Sequence, residues 1–327
     1  MLKTGTTLFS LTIEWLSGKY TLEQIIAEVS KRKLGLGLEA AGFQSFRNFP
    51  VISNEFALEF RNLLDKYELQ PSCLGANADI ALRRNNPLTI DETAEYLEAQ
   101  INAAAKLGFP VLRMQMAAKP EVMRKLVKPA EKTKVILGME LHSPYTLDHP
   151  AVMQLQELYD EFDSPYLGYI PDFGSCMQRI PALVLDSYRK DGMPEILIDL
   201  IKEIWFMDAA TPEKFKQLQE RAVASGGTPS HIGRLNMVLA LFSRQDPKRW
   251  AEVMNRIVHI HGKFYSIDEE GNEPNINYAS LMKVFKEGGY NGFMSSEYEG
   301  HAFTDEYNGF EMIEKHQKLC RRLISDL

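Results

Sequence analysis

Four short segments carry side chains that could do chemistry together. Glu140 and His142 stand two residues apart in GMELHSP, and Asp172 lies in YIPDFGS. His259, His261 and Lys263 alternate in HIHGKFY, and Glu297 and Glu299 alternate in SSEYEGH. Residues two apart share one face of an extended segment, about 6.5 Å from one another. Acids and imidazoles gathered on one buried face are costly, because each desolvated charge costs several kcal/mol unless paired. A divalent cation resolves that cost. Two glutamates, an aspartate and a neutral histidine suit Mn²⁺, Mg²⁺, Co²⁺ or Zn²⁺, and the excess of oxygen donors favours the harder ions. The residue types leave His259 or His261, and Glu297 or Glu299, open as the donor of its segment. A cation beside a base suits enolisation, the removal of a proton next to a carbonyl. Glu140, His142 and Glu297 are the candidate bases, with His142 also a candidate acid.

These segments need elements that bring them to one place. Short apolar runs at 4–11, 34–40, 72–78, 111–116, 135–142, 167–173, 256–264 and 292–298 read as strands. Amphipathic stretches at 21–32, 53–68, 89–107, 120–132, 150–161, 278–288 and 308–325 read as the helices between them. Thr89, ahead of Asp91 and Glu92, marks a helix start; so does Asn308, and Gly108 and Gly288–Gly289 mark stops. Eight strand–helix repeats predict an α/β fold, a (β/α)8 TIM barrel, with 1–327 as a single domain. No G-x-G-x-x-G follows the first strand, which argues against a dinucleotide-binding sheet.

Alternation then sorts the strand faces. The pattern predicts Leu112, Met114, Val135, Leu137, Met139, Val258 and Ile260 against the helices. Arg113, Gln115, Glu39, Glu140, His142, His259, His261 and Lys263 then face the interior, near the C-terminal strand ends where barrel active sites are built. Arg113 and Lys263 are candidates to hold substrate oxygens or to pair with the acids. Tyr145, Phe173, Tyr265, Tyr298 and Phe303 follow strand ends and offer rings to a substrate.

Spacing locates a surplus of length. Glu140 to Asp172 and His261 to Glu297 each span close to one barrel unit, whereas Asp172 and His261 are 89 residues apart. With about 31 residues per unit, about 58 are extra. Helical periodicity fills that interval, so a helical insertion at approximately 176–250, between the sixth and seventh strands, is expected. It is placed to form a lid or a subunit contact.

The charge balance is 37 basic against 44 acidic residues, net −7, which argues against a phosphate-backbone binder and for no nucleic acid partner. Cys73, Cys176 and Cys320 are scattered and odd in number, with no disulfide or thiolate-metal spacing, so a cytoplasmic setting is expected. No signal peptide and no membrane span are read.

The ordered set Glu140, Asp172, His261, Glu297 resembles the xylose isomerase-like barrels, which include sugar phosphate isomerases/epimerases, ketose 3-epimerases and inosose dehydratases. The resemblance covers nearly the whole chain. It implies one metal held by those four residues, and its His-x-Lys on strand seven favours His261 over His259. More narrowly, Glu-Leu-His at 140–142, the SEYEGH ending at His301 and the long helical region resemble the α subunit of bacterial C-glycoside deglycosidases. That likeness implies a metal-dependent lyase, with Mn²⁺ the expected ion, cleaving 3-oxo-glucosides of aromatic or flavonoid C-glycosides. It also implies His142 as acid/base, Arg113, Lys263 and His301 as substrate contacts, and a small β-rich partner subunit in a larger oligomer. The same enolate reprotonated or dehydrated would make an isomerase, a 3-epimerase or an inosose-type dehydratase instead. An apurinic endonuclease shares the barrel but requires a richer ligand set and a basic groove.

Overall fold

The computed structural model describes residues 2–78, 85–304 and 308–326. Eight parallel strands form one sheet: β1 (Lys3–Thr7), β2 (Gly37–Ala41), β3 (Gln70–Gly75), β4 (Val111–Met114), β5 (Ile136–Leu141), β6 (Leu167–Pro171), β7 (Ile260–Phe264) and β8 (Phe293–Tyr298). Their order is β6-β5-β4-β3-β2-β1-β8-β7. Parallel bridges Tyr169–Ile257 and Asp172–His261 join the two ends, and Val258 N–H donates to the Tyr169 carbonyl at 3.0 Å. The result is a (β/α)8 barrel.

Local chemistry sets the flanking helices. Thr21 and Thr89 cap the helices Leu22–Lys31 and Ile90–Leu107, each with a reciprocal bond from the residue three further on. Gly108 ends the second of these in the left-handed region (φ 89°), and Gly289 does the same after Tyr278–Glu287 (φ 74°). Asn308 Oδ1 accepts from Glu311 N–H and opens Gly309–Asp326. Among the described residues no helix is long and apolar enough to cross a membrane.

Two expectations change. The first strand was read through residue 11, but Leu8–Leu11 turn into a 3-10 helix because Thr7 Oγ1 accepts from Phe9 N–H and caps it. Val258 was read as facing the helices. It packs instead inside the barrel floor, with Ile136, against the buried cluster Cys73, Val111 and Ile170. Strict alternation fails because Val258 and His259 precede the regular part of β7, and both turn inward. Gly138 and Gly168 make the room: a Cβ on Gly138 would lie 3.0 Å from Val258 Cγ2, and one on Gly168 would collide with Val258 Cγ1.

Between β6 and β7 lie four α-helices, Ala182–Lys190, Glu195–Phe206, Thr211–Ala224 and Pro229–Leu241, then a 3-10 stretch, Pro247–Arg256. The chain leaves and returns through one stem. Met177 N–H donates to the Ser243 carbonyl and Gln245 N–H to the Ser175 carbonyl, both at 2.9 Å, around an antiparallel bridge between Cys176 and Arg244. Helix Glu195–Phe206 buries Leu197, Ile198, Ile201, Ile204 and Trp205, and Trp205 Nε1–H donates to the Phe242 carbonyl at 2.9 Å. The stem sits just past Asp172, so these helices rise from the C-terminal mouth of the barrel.

Candidate active site

Above the apolar floor the barrel interior turns polar. Glu39, Glu140, Asp172, His259, His261, Ser295 and Glu297 are all buried. Glu140, Asp172, His261 and Glu297 come together, with one donor atom from each within 4.8 Å of the others. Parallel strands place them: Glu140 is paired with Ile170 across β5–β6, Asp172 with His261, and Lys263 with Glu297 across β7–β8. His261 Nδ1 lies 2.7 Å from Glu140 Oε1 and 3.5 Å from Glu297 Oε2. His259 and Glu299 lie outside this group of four. His259 Nε2 is 3.0 Å from both Glu39 Oε2 and Ser295 Oγ. Glu299 Oε2 accepts from the Tyr265 hydroxyl at 2.9 Å and lies 3.1 Å from Lys263 Nζ.

The cations reach into the same group. Lys263 Nζ is 2.6 Å from Asp172 Oδ2 and 3.6 Å from Glu297 Oε2. Arg113 Nε is 3.6 Å from Glu140 Oε2, while its Nη1 donates to the Ala76 carbonyl at 3.2 Å. A cavity of about 180 Å³ opens above them, lined by Thr7, Phe9, Arg113, Glu140, His142, Lys263, Glu297 and Glu299, among others. Leu241, the last residue of helix Pro229–Leu241, also lines it, so the segment between β6 and β7 forms part of the wall. His142 is half-buried there, and its Nδ1 bonds the Ser143 carbonyl. Among the described residues lining the cavity His301 does not appear. Its Nδ1–H donates to the Tyr298 carbonyl at 2.9 Å and its ring meets Phe9 edge-on at 5.3 Å, one ring away from the cavity. Tyr265 is too buried to offer its ring to a ligand.

The electrostatics of this group are dominated by an excess of carboxyl groups. Five carboxyl groups (Glu39, Glu140, Asp172, Glu297, Glu299) face two cationic chains, Arg113 and Lys263. Burial pushes the Glu140 carboxyl up, but Arg113 and His261 outweigh it and hold the group well below the usual range. Burial pushes Glu297 up to about 8, with Asp172 and Glu140 adding to the effect against Lys263 and His261. Burial alone would depress His261, yet Glu39, Glu297 and Glu140 drive it well above the ordinary histidine value. The two groups that hold protons, His261 and Glu297, are both in the group of four. Two protons and one divalent cation bring the same charge, so an excess of three negative charges falls to one either way. Glu297 Oε2 is also buried without a hydrogen bond. The donor set therefore fits a divalent ion bound by oxygen and one imidazole nitrogen.

Glu39 was legible as an inward acid on β2 but had no role. It lies under the group of four, 3.0 Å from His261 Nε2. Its signal was its place: an ionisable residue on the inner face near a strand's C-terminal end.

Comparison with known proteins follows the same line. The sequence profile of the xylose isomerase-like TIM barrel family matches residues 37–323. A 3'-dehydrocarminate deglycosidase alpha subunit from Microbacterium sp. is 35% identical, over 99% of this chain and 95% of its own length. A C-glycoside deglycosidase alpha subunit from Arthrobacter globiformis is 34% identical, over 98% and 92%. The D-allulose 3-epimerase of Methylomonas sp., solved with D-allulose, shares the fold with a TM-score of 0.54 at 13% identity, over 98% of this chain and 96% of that one. The chain belongs to the xylose isomerase-like TIM barrel family, beside relatives that are named C-glycoside deglycosidase alpha subunits.

Proposed function

We propose that this chain is the catalytic subunit of a divalent-metal-dependent lyase that cleaves the C-glycosidic bond of 3-oxo-glucosides. The observation that carries the reading is the buried group Glu140, Asp172, His261 and Glu297 opening on a sugar-sized cavity beside His142. The names of its full-length relatives supply the substrate class. The four residues would hold the ion, with Mn²⁺ the best fit to an oxygen-rich set. When bound, the ion supplies a Lewis acid that draws electrons from the 3-keto group and acidifies the proton on C2.

The chain's own residues do the rest. Arg113 and Lys263 present N–H donors to the sugar oxygens, and His301 supports the wall through Phe9. A carboxylate of the cluster, Glu140 or Glu297, takes the C2 proton, and the C–H electron pair forms the enolate. The enolate collapses back to the ketone, a double bond forms between C2 and C1, and the bond from C1 to the aglycone breaks. His142, on the cavity side of Glu140, gives its proton to the departing aglycone carbon. Acid/base assistance of this kind contributes about 10²–10⁴-fold. The cavity of about 180 Å³ suits one hexose ring, which leaves the aglycone at the mouth near Leu241. The alpha-subunit names of the relatives support a partner subunit, here taken to be small and β-rich, in a larger assembly.

The test is incubation of the Mn²⁺-loaded protein, with its co-expressed partner, with a 3-oxo C-glucoside and separately with free ketoses. Release of free aglycone, read by mass spectrometry, is the expected result. An isomeric sugar from the ketoses without aglycone release would move the assignment to an epimerase or isomerase. Loss of water from the sugar would move it to a dehydratase.

A further inference from the structure

Beneath the four-residue group lies a second buried cluster, Glu39, Cys73 and His259, whose donor atoms are also within 4.8 Å of one another. Its geometry differs from that of a second metal site. Both oxygens of Glu39 are already engaged: Oε1 lies 3.0 Å from His261 Nε2, and Oε2 lies 3.0 Å from His259 Nε2. Glu39 is 3% exposed and the two imidazoles 1% each, so these bonds are shielded from bulk solvent. The rings stand 5.8 Å apart at 86°, each turned to present its Nε2 to the one carboxylate.

We propose that Glu39 is a positioning residue that fixes the ring orientation and tautomer of His261. The proposal rests on the reading of Glu140, Asp172, His261 and Glu297 as a divalent-cation site. A carboxylate offers only acceptors, so each imidazole must meet it with an N–H. A neutral imidazole has one N–H. With that proton on Nε2 and aimed at Glu39, the lone pair of His261 sits on Nδ1, the atom 2.7 Å from Glu140 and facing Glu297. A carboxylate held against the far nitrogen of a ligating imidazole would raise the basicity of that ligand. His259 is the second ring served by the same carboxylate. It also reaches Ser295 Oγ at 3.0 Å, so it wedges Glu39 against β8 and keeps its other oxygen under His261. Cys73 lies at 0% exposure, and burial, reinforced by the Glu39 charge, pushes its thiol well up.

The experiment is Mn²⁺ titration of the full chain followed by electron paramagnetic resonance of the free ion, for the wild type, Glu39→Gln and Ser295→Ala. Glutamine keeps the shape but can accept from only one of the two rings, and its NH₂ must face the other. Glu39→Gln is expected to bind Mn²⁺ about 10–100-fold more weakly. Ser295→Ala removes a bond to His259 and none to His261, its neighbour across β7–β8, and is expected to stay within about twofold of the wild type. An unchanged affinity in Glu39→Gln overturns the proposal. So does an equal loss in Ser295→Ala, or a second bound ion that disappears in Cys73→Ser. Should Glu39→Gln fail to fold, the ¹⁵N-histidine spectrum of the Zn²⁺-loaded wild type decides. A proton on His261 Nε2 supports the proposal, and a proton on Nδ1 overturns it. A wild-type chain that binds no Mn²⁺ at all would fail the metal reading itself, which is a separate result.

Discussion

Loading the site with Mn²⁺ should expel protons, and the number can be worked from the geometry. Without a cation, His261 and Glu297 hold the protons that offset the surrounding carboxyl groups. With a cation, His261 Nδ1 must offer a lone pair and Glu297 an ionised oxygen, so up to two protons leave for each ion bound. Both groups have raised proton affinity, so bound protons compete with the cation, and the competition eases as pH rises. Below about pH 8, where Glu297 titrates, each competing proton weakens binding about tenfold per pH unit, or about 1.4 kcal/mol. The apparent affinity should therefore fall by between about ten- and a hundredfold for each unit from pH 8 to pH 6. Above pH 8 the Glu297 proton no longer competes and the slope flattens. Isothermal titration calorimetry at pH 7 in two buffers of different ionisation enthalpy counts the protons directly. Heats that do not depend on the buffer, meaning fewer than about half a proton per ion, would refute the idea that a proton pair stands in for the cation.

Three further outcomes are expected. Chelation should abolish turnover and Mn²⁺ restore it; Asp172→Asn should lose the ion, while His142→Ala should keep it and lose about 10²–10⁴-fold in turnover, checked by metal analysis beside product assays. His316 is buried with Nδ1 2.8 Å from Ser296 Oγ, Nε2 2.8 Å from the Tyr278 hydroxyl and its ring stacked on Phe264 at 4.2 Å. Burial pushes it down to about 3, so the unfolded chain takes up its proton first and stability falls as pH drops below about 6.5; the loss is about 2 kcal/mol by pH 5. Urea melts at pH 7.5 and pH 5 should show a fall smaller by about that amount in His316→Asn, and equal falls would sink the assignment. Leu241→Trp should raise KM for substrates with bulky aglycones and leave Mn²⁺ affinity alone, since Leu241 lines the cavity but is not one of the four donors.

The barrel was legible because each strand is flanked by an amphipathic helix with readable ends, as at Thr89 and Gly108. The inward acids were legible because a period of two sorts Glu140 from Leu141 without any tertiary information. Three things were not. The turn at Leu8–Leu11 depends on one hydroxyl, Thr7 Oγ1, capping a run that is otherwise apolar enough for a strand. Val258 faces inward only because Gly138 and Gly168, from two other strands, leave it a hollow. Glu39 acquires meaning only when β2, β7 and β8 are closed into one wall, which brings it beneath a histidine more than two hundred residues away. Local pattern reports which face a side chain takes; it does not report what waits on that face.

The antiparallel stem at Ser175–Met177 and Ser243–Gln245 makes the mouth helices a cassette. Cys176 and Arg244 are already cross-strand neighbours, so a two-residue reverse turn could replace the chain between them. What would remain is about 260 residues, the length of an ordinary barrel. The four donor residues all lie outside the excised stretch, whereas Leu241 lies within it. On the proposed reading, ion capture and the Leu241 side of the substrate wall are encoded in separable pieces of the gene. A trimmed barrel would keep the first and be an empty platform for rebuilding the second.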